Sequence, residues 1–170
     1  MISNNNTSFY INHLNLVPHP EGGWYRETYR SDEIIRHESL PARFAGDRCF
    51  STAIYFLLEE GNFSAFHRIK SDELWHFYAG DTLEIILIAE NGELCITNLG
   101  SNPEKGETFQ YAVPDVYWMA TRLKGNGKFA LAGCTVAPGF DFADFEMAER
   151  TQLIKLFPQH ENIIIKLTRS

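Results

Sequence analysis

The chain has 170 residues, 44% of them hydrophobic and 14% aromatic, enough apolar material to fill one core without disulfide or metal staples and too much for a disordered chain. A net charge of −7, a pI near 5.3 and the absence of a clustered Lys/Arg run exclude a nucleic-acid polymer as the expected partner, since tracking phosphates needs a basic face. No stretch approaches the roughly eighteen apolar residues of a membrane-spanning helix, and the opening MISNNNTSFY has neither the basic region nor the apolar core of a secretory signal.

Residues 1–6 are a polar start that is expected to fray, and Thr7 can cap a short helix over 8–16. Pro18, His19, Pro20, Glu21, Gly22 and Gly23 form a breaker. Residues 24–29, aromatic and β-favouring, read as a strand, and the charged stretch 31–47 as a surface loop. From Cys49 onward strand follows strand: 50–58, 62–69, 74–79, 83–89, 94–99, 108–113, 117–123 and 128–136. Asn91-Gly92 is the strongest hairpin signal in the chain, because both residues accept positive φ. Residues 149–157 look helical and stop at Pro158, and 163–167 form a second short helix or strand. Nine or ten short strands with polar turns, and no long helices alternating with them, predict an all-β sandwich or small barrel in one domain, 1–170. Cys49, Cys95 and Cys134 are odd in number and contain no C-x-x-C, as expected of core or near-core thiols in a reducing compartment, the cytoplasm.

The chemistry concentrates in one segment. Gly61, His67, Glu73 and Gly80 stand at the spacing of the first cupin motif, G-x5-H-x-H-x3,4-E-x6-G, with Ile69 at the second His position. Residues i and i+2 of a strand share a face, so position 67, position 69 and, after a tight turn onto a neighbouring strand, position 73 should converge inside the barrel. The second motif is loose: counting from Pro114, its Gly, His and Asn positions hold Val116, Met119 and Leu123. Three blocks, 19–27, 66–77 and 133–145, together resemble the signature of the cupin family called DUF985 or Cupin_5. That resemblance implies a double-stranded β-helix, the jelly-roll barrel of the dTDP-sugar 3,5-epimerases, with short flanking helices and a homodimer formed through the sheets.

Metal-binding cupins use three His and one Glu, a donor set suited to Fe, Mn, Ni or Zn. Here His67 and Glu73 remain, Ile69 cannot ligate and Met119 is a soft thioether. No metal or other cofactor is therefore expected, beyond a weakly held divalent ion. If Glu73 faces inward, so do Trp75 and Phe77, while strict alternation turns His76 away unless a bulge rotates it in. With Met119 inside, Tyr117 flanks it. The expected interior is an apolar cavity with a few converging polar groups, suited to a small-molecule ligand. His67 oriented by Glu73 would be a general base and Tyr117 the opposite acid, for proton abstraction beside a carbonyl in a sugar or sugar-nucleotide-like compound. The candidate catalytic set is thus His67, Glu73 and Tyr117, and the ligand-binding set Arg26, Trp75, His76, Phe77 and Met119. Arg26 is chosen for a phosphate or carboxylate on the ligand. Non-catalytic metabolite or nucleotide binding, metal-dependent cupin chemistry, and a purely structural His67–Glu73 pair remain open alternatives. His13, His19, His37 and His160 are expected at the surface.

Overall fold

The computed structural model describes residues 7–169; the polar start 1–6 lies outside the described residues. Two six-stranded sheets face each other. The first runs Val17–Pro18, Trp24–Arg30, Thr52–Glu59, Phe129–Ala137, Asp72–Gly80, Gln110–Val113. The second runs Glu107–Thr108, Leu94–Leu99, Leu83–Ile88, Trp118–Leu123, Phe63–Arg68, Glu146–Met147. Thr52–Glu59, Phe63–Arg68, Asp72–Gly80 and Leu83–Ile88 alternate between the sheets, as in a cupin jelly roll.

Alternation along each strand explains the layers. Phe56, Leu58, Trp75, Ile85, Leu87 and Met119 point between the sheets and form the central core. Leu57 and Leu131 point out from the first sheet and are covered by Tyr10, Ile11 and Leu14 of the N-terminal segment. Phe66, Ile86 and Trp118 point out from the second and are covered by Leu153 and Ile164 of helices Arg150–Leu156 and Glu161–Lys166 and by Phe157 between them. The described residues contain no helix long and apolar enough to cross a membrane.

The turn at Asn91-Gly92 joins Leu83–Ile88 to Leu94–Leu99 with Ile88 opposite Leu94, and Gly92 has φ 82°. The predicted first helix stops early, at His13, because Asn15 turns left-handed and sends Leu16 into the core. Within the predicted loop 31–47, Ile34–Ile35 pairs with Arg48–Cys49. The predicted strand 108–113 breaks at Phe109: Glu107–Thr108 pairs in the second sheet and Gln110–Val113 in the first. At the glycine position of the loose second motif, Val116 has φ 62°, so the turn keeps a left-handed backbone that a β-branched residue rarely adopts.

Candidate functional site

A cavity of about 490 Å³ opens between the sheets, walled by the loop carrying His19 and Glu21 and by the segment 140–145. Two β-bulges set its polar content. Opposite Met119–Thr121 the strand Phe63–Arg68 carries an extra residue. Ser64 and His67, three apart, therefore both turn toward Glu21, while Phe63 and Phe66 pack outward. A second irregularity between Glu27 and Tyr29 turns Arg30 rather than Tyr29 to the cavity beside Tyr25 and Glu27.

Glu21 enters through the breaker. Its backbone carbonyl accepts from Ala65 N at 2.9 Å and from the Arg169 guanidinium, which ties the loop to the second sheet. Gly22 has φ +113°, and a Cβ there would collide with Phe63 O and Arg169, so only glycine allows this approach. The Glu21 side chain is buried. Ser64 donates to its Oε1 at 2.8 Å, while its Oε2 lies 3.1 Å from His67 Nε2 and 3.5 Å from His19 Nδ1.

The position of a proton follows from these contacts. His67 Nδ1 lies 2.8 Å from Ala65 O; a carbonyl only accepts, so Nδ1 carries the hydrogen. In the neutral ring Nε2 then offers a lone pair to Glu21 Oε2, and two lone-pair atoms at 3.1 Å require a proton between them. Burial and protonation preference agree. Desolvation pushes Glu21 up to about 8, against the pull of Ser64 and Arg169, and pushes His67 down, against its Ala65 hydrogen bond and the charge of Glu73. His19 is lowered to about 4 by burial and by His67. The Glu21–His67 pair thus holds one proton, with Glu21 as its carrier. Phe145 stacks on the His67 ring, centroids 5.3 Å apart.

Glu73 and Trp75 face this pair from the first sheet. Desolvation raises Glu73 to about 7, offset in part by His67 and reinforced by Glu21. Burial also drives the Cys134 thiol well above its usual range. His67 and Glu73 were expected on neighbouring strands. The structure instead sends the chain from one sheet to the other after Ile69, so they meet across the cavity, and the carboxylate in contact with His67 is Glu21.

All three signature blocks deliver lining residues: His19, Glu21 and Tyr25; His67, Glu73 and Trp75; Cys134 and the 140–145 segment. The family profile described as Cupin superfamily (DUF985), Cupin_5, matches residues 8–148. The chain belongs to the Cupin_5 family. This cupin is 30% identical over 143 residues to the uncharacterised Saccharomyces cerevisiae protein YML079W, covering 79% of this chain and 71% of that one. It is similar to the crystal structure of protein SO0799 from Shewanella oneidensis, with TM-score 0.87, 39% identity and coverage of 96% and 98%. A hypothetical protein from Leishmania major matches with TM-score 0.89, 34% identity and coverage of 98% and 100%. At 14% identity and TM-score 0.53, Bacillus subtilis oxalate decarboxylase shares the fold over 88% of this chain and 36% of its own length.

Among the sequence-selected residues, His67, Glu73 and Trp75 line the cavity of this cupin, as does Ile69. The other five lie outside its lining, each for a local reason. Tyr117 precedes its strand and packs on the central core. Met119 and Phe77 face inward but are absorbed by that core. His76 faces out, bonded to Thr135 and Gln110, because the strand's irregularity comes later, opposite Leu131–Ala132. Arg26 is exposed and donates to Leu14 O. Arg30 takes the rim position instead, with Nε and Nη2 on Glu27 and Nη1 on Phe140 O.

Sequence reasoning missed Glu21, Ser64, Arg30 and Cys134, and assigned His19 to the surface. His19 is drawn under the loop by contacts with Tyr25 and Phe56. The signal available was a His and a Glu beside two glycines inside the first signature block. A divalent ion finds a poor donor set here. Ile69 is apolar, Met119 lies outside the cavity lining, and both ring nitrogens of His67 face other partners. No group of three or more His, Cys, Asp or Glu converges on one point among the described residues. The residues do not fit a bound metal.

Proposed function

We propose that this cupin binds a small, uncharged, sugar-like carbonyl compound and moves a proton on the carbon beside its carbonyl, as an isomerase or epimerase does. The observation that carries this reading is the Glu21–His67 pair, 3.1 Å apart, facing a second carboxyl, Glu73, across a cavity walled by aromatic rings. Two carboxyls whose surroundings bring them near neutrality, one above the other, are an acid and a base at the same pH. Glu73 is the base and Glu21, its proton hydrogen-bonded to His67, the acid; Tyr117, outside the cavity lining, does not share that role. The preference for an uncharged substrate comes from the lining. Glu21, Glu27, Glu73 and Asp141 surround the single cation Arg30, and Arg30 is already bidentate on Glu27. A polyphosphate would meet little positive charge. The flat faces of Phe142 and Phe145 suit a sugar ring.

The test is deuterium uptake. The protein is incubated in D2O with free hexoses and pentoses and with their phosphate esters, and uptake at carbon is followed by NMR. The proposal expects exchange with the free sugars, reduced about 10²- to 10⁴-fold in His67→Asn and Glu73→Gln with the melting temperature kept. Free sugars that raise the melting temperature without exchange would replace catalysis by binding alone. Neither response would sink the site. A cytoplasmic setting and a homodimer remain part of the proposal, the latter using the outer face of the first sheet where Tyr78 is exposed; sedimentation checks it.

A further inference from the structure

Trp75 is 1% exposed and its indole Nε1–H has no hydrogen-bond partner. Buried donors left unmade are rare, and each calls for an explanation. Three other polar groups of the lining are committed: His67 to Ala65, Glu21 to Ser64, Arg30 to Glu27. Thr121 Oγ1 is the other orphan among the described residues, and it lies outside the cavity lining. The Trp75 ring is held by an edge contact with Phe56, centroids 5.4 Å apart and planes at 74°, and by the core around it. Cys134 stands opposite in register. The indole nitrogen is near enough to the Glu73 carboxyl to favour its charged form, yet no bond of acceptable geometry joins them.

We infer that the Trp75 indole N–H is the docking point for the carbonyl oxygen of the substrate, and that it holds the oxyanion formed there. This rests on the proton-transfer reading above and adds the position of the oxygen. An indole N–H only donates, so the ligand atom it takes is an acceptor. Glu73 and Trp75 are two apart on one face, and the indole nitrogen lies beside the Glu73 carboxyl, so a carbonyl oxygen taken by the indole N–H brings the adjoining carbon against Glu73. The carboxylate of Glu73 takes the proton from that carbon. The C–H electron pair becomes the C=C bond, and the carbonyl π pair moves onto the oxygen, where the Trp75 donor stabilises it. The Glu21–His67 pair on the opposite sheet returns a proton to carbon, so Glu73 gains the proton that Glu21 gives up.

The experiment compares wild type with Trp75→Phe, which deletes the N–H and keeps a ring. The probe is D-arabinonohydroxamic acid, a stable analogue of the enediol formed from a hexose, and D-arabinitol is the control. Calorimetry should show wild type binding the hydroxamate more tightly than the polyol, and Trp75→Phe weakening the hydroxamate about tenfold with the polyol unchanged. Should Trp75→Phe fail to fold, benzothienylalanine at position 75 keeps the shape and replaces the N–H by sulfur. Equal hydroxamate affinity in the variant, or no preference over the polyol in wild type, overturns the inference. Full deuterium exchange in Trp75→Phe beside its loss in His67→Asn overturns it while leaving the proton-transfer reading standing. Trp75-dependent hydroxamate binding in a protein that exchanges nothing does the reverse.

Discussion

Carboxylates are buried in two regions, on opposite terms. Asp144 receives both Nε and Nη2 of Arg48 at 2.6 Å, and Lys70 stands 3.7 Å away; acid and base side chains are only 4–5% exposed. The pair fastens the cavity-walling segment that carries Phe142 and Phe145 to the strand Arg48–Cys49. Glu21 is equally buried, but its nearest partners are a serine hydroxyl and two imidazoles, and the Arg169 guanidinium bonds its backbone carbonyl rather than its carboxylate. A bidentate guanidinium holds its acid in place and makes it a fastener. An acid denied a cation instead keeps its proton to near-neutral pH and stays able to exchange it.

Breaking the clamp should have the largest effect. Asp144→Ala strands Arg48 without its counter-charge and should cost about 3–5 kcal/mol in urea unfolding, whereas the double variant Arg48→Met/Asp144→Leu should recover most of it. A single variant within about 1 kcal/mol of wild type would show the clamp to be idle.

The cavity side of the comparison is sharpened by pH. Glu21 at about 8 and Glu73 at about 7 stand above their ordinary 4.5. Over that window the folded chain holds protons that the unfolded chain has released, so this contribution to stability falls as pH rises. His19 at about 4, and the lowered His67, act in the other sense: the unfolded chain takes up protons below 6.5 that the folded one refuses. The two effects oppose between 4.5 and 6.5, and above 6.5 the carboxyls dominate. The melting temperature should therefore fall from about pH 6.5 to 8.5, and Glu21→Gln should flatten the slope. A wild-type curve that is level or rising over that interval would mean Glu21 is ionised in the fold.

The smallest effect belongs to Arg26. It is exposed and bonds only a backbone carbonyl, so Arg26→Ala should leave hexose exchange unchanged and move stability by no more than about 0.5 kcal/mol. A large loss of exchange would relocate the ligand-binding surface from the Arg30 side of the strand to the Arg26 side.

Local chemistry determined the architecture. Apolar and β-branched runs and the Asn91-Gly92 turn were enough for an all-β sandwich or small barrel with inward-facing positions, because alternation and turn preference belong to short stretches of chain; the jelly roll with His67, Glu73 and Trp75 inside came from the resemblance to the cupin motif at Gly61, His67, Glu73 and Gly80. The tertiary structure decided the rest. An extra residue in Phe63–Arg68 is defined only against its partner strand Trp118–Leu123, and it turns Ser64 inward together with His67. The irregularity after Glu27 chooses Arg30 over Tyr29 in the same way. Glu21 looked like part of a turn, and became the acid beside His67 because Gly22 lets its loop lie against the second sheet. Which face a side chain takes depends on pairing register as well as on its own alternation, and register is settled between strands distant in the chain.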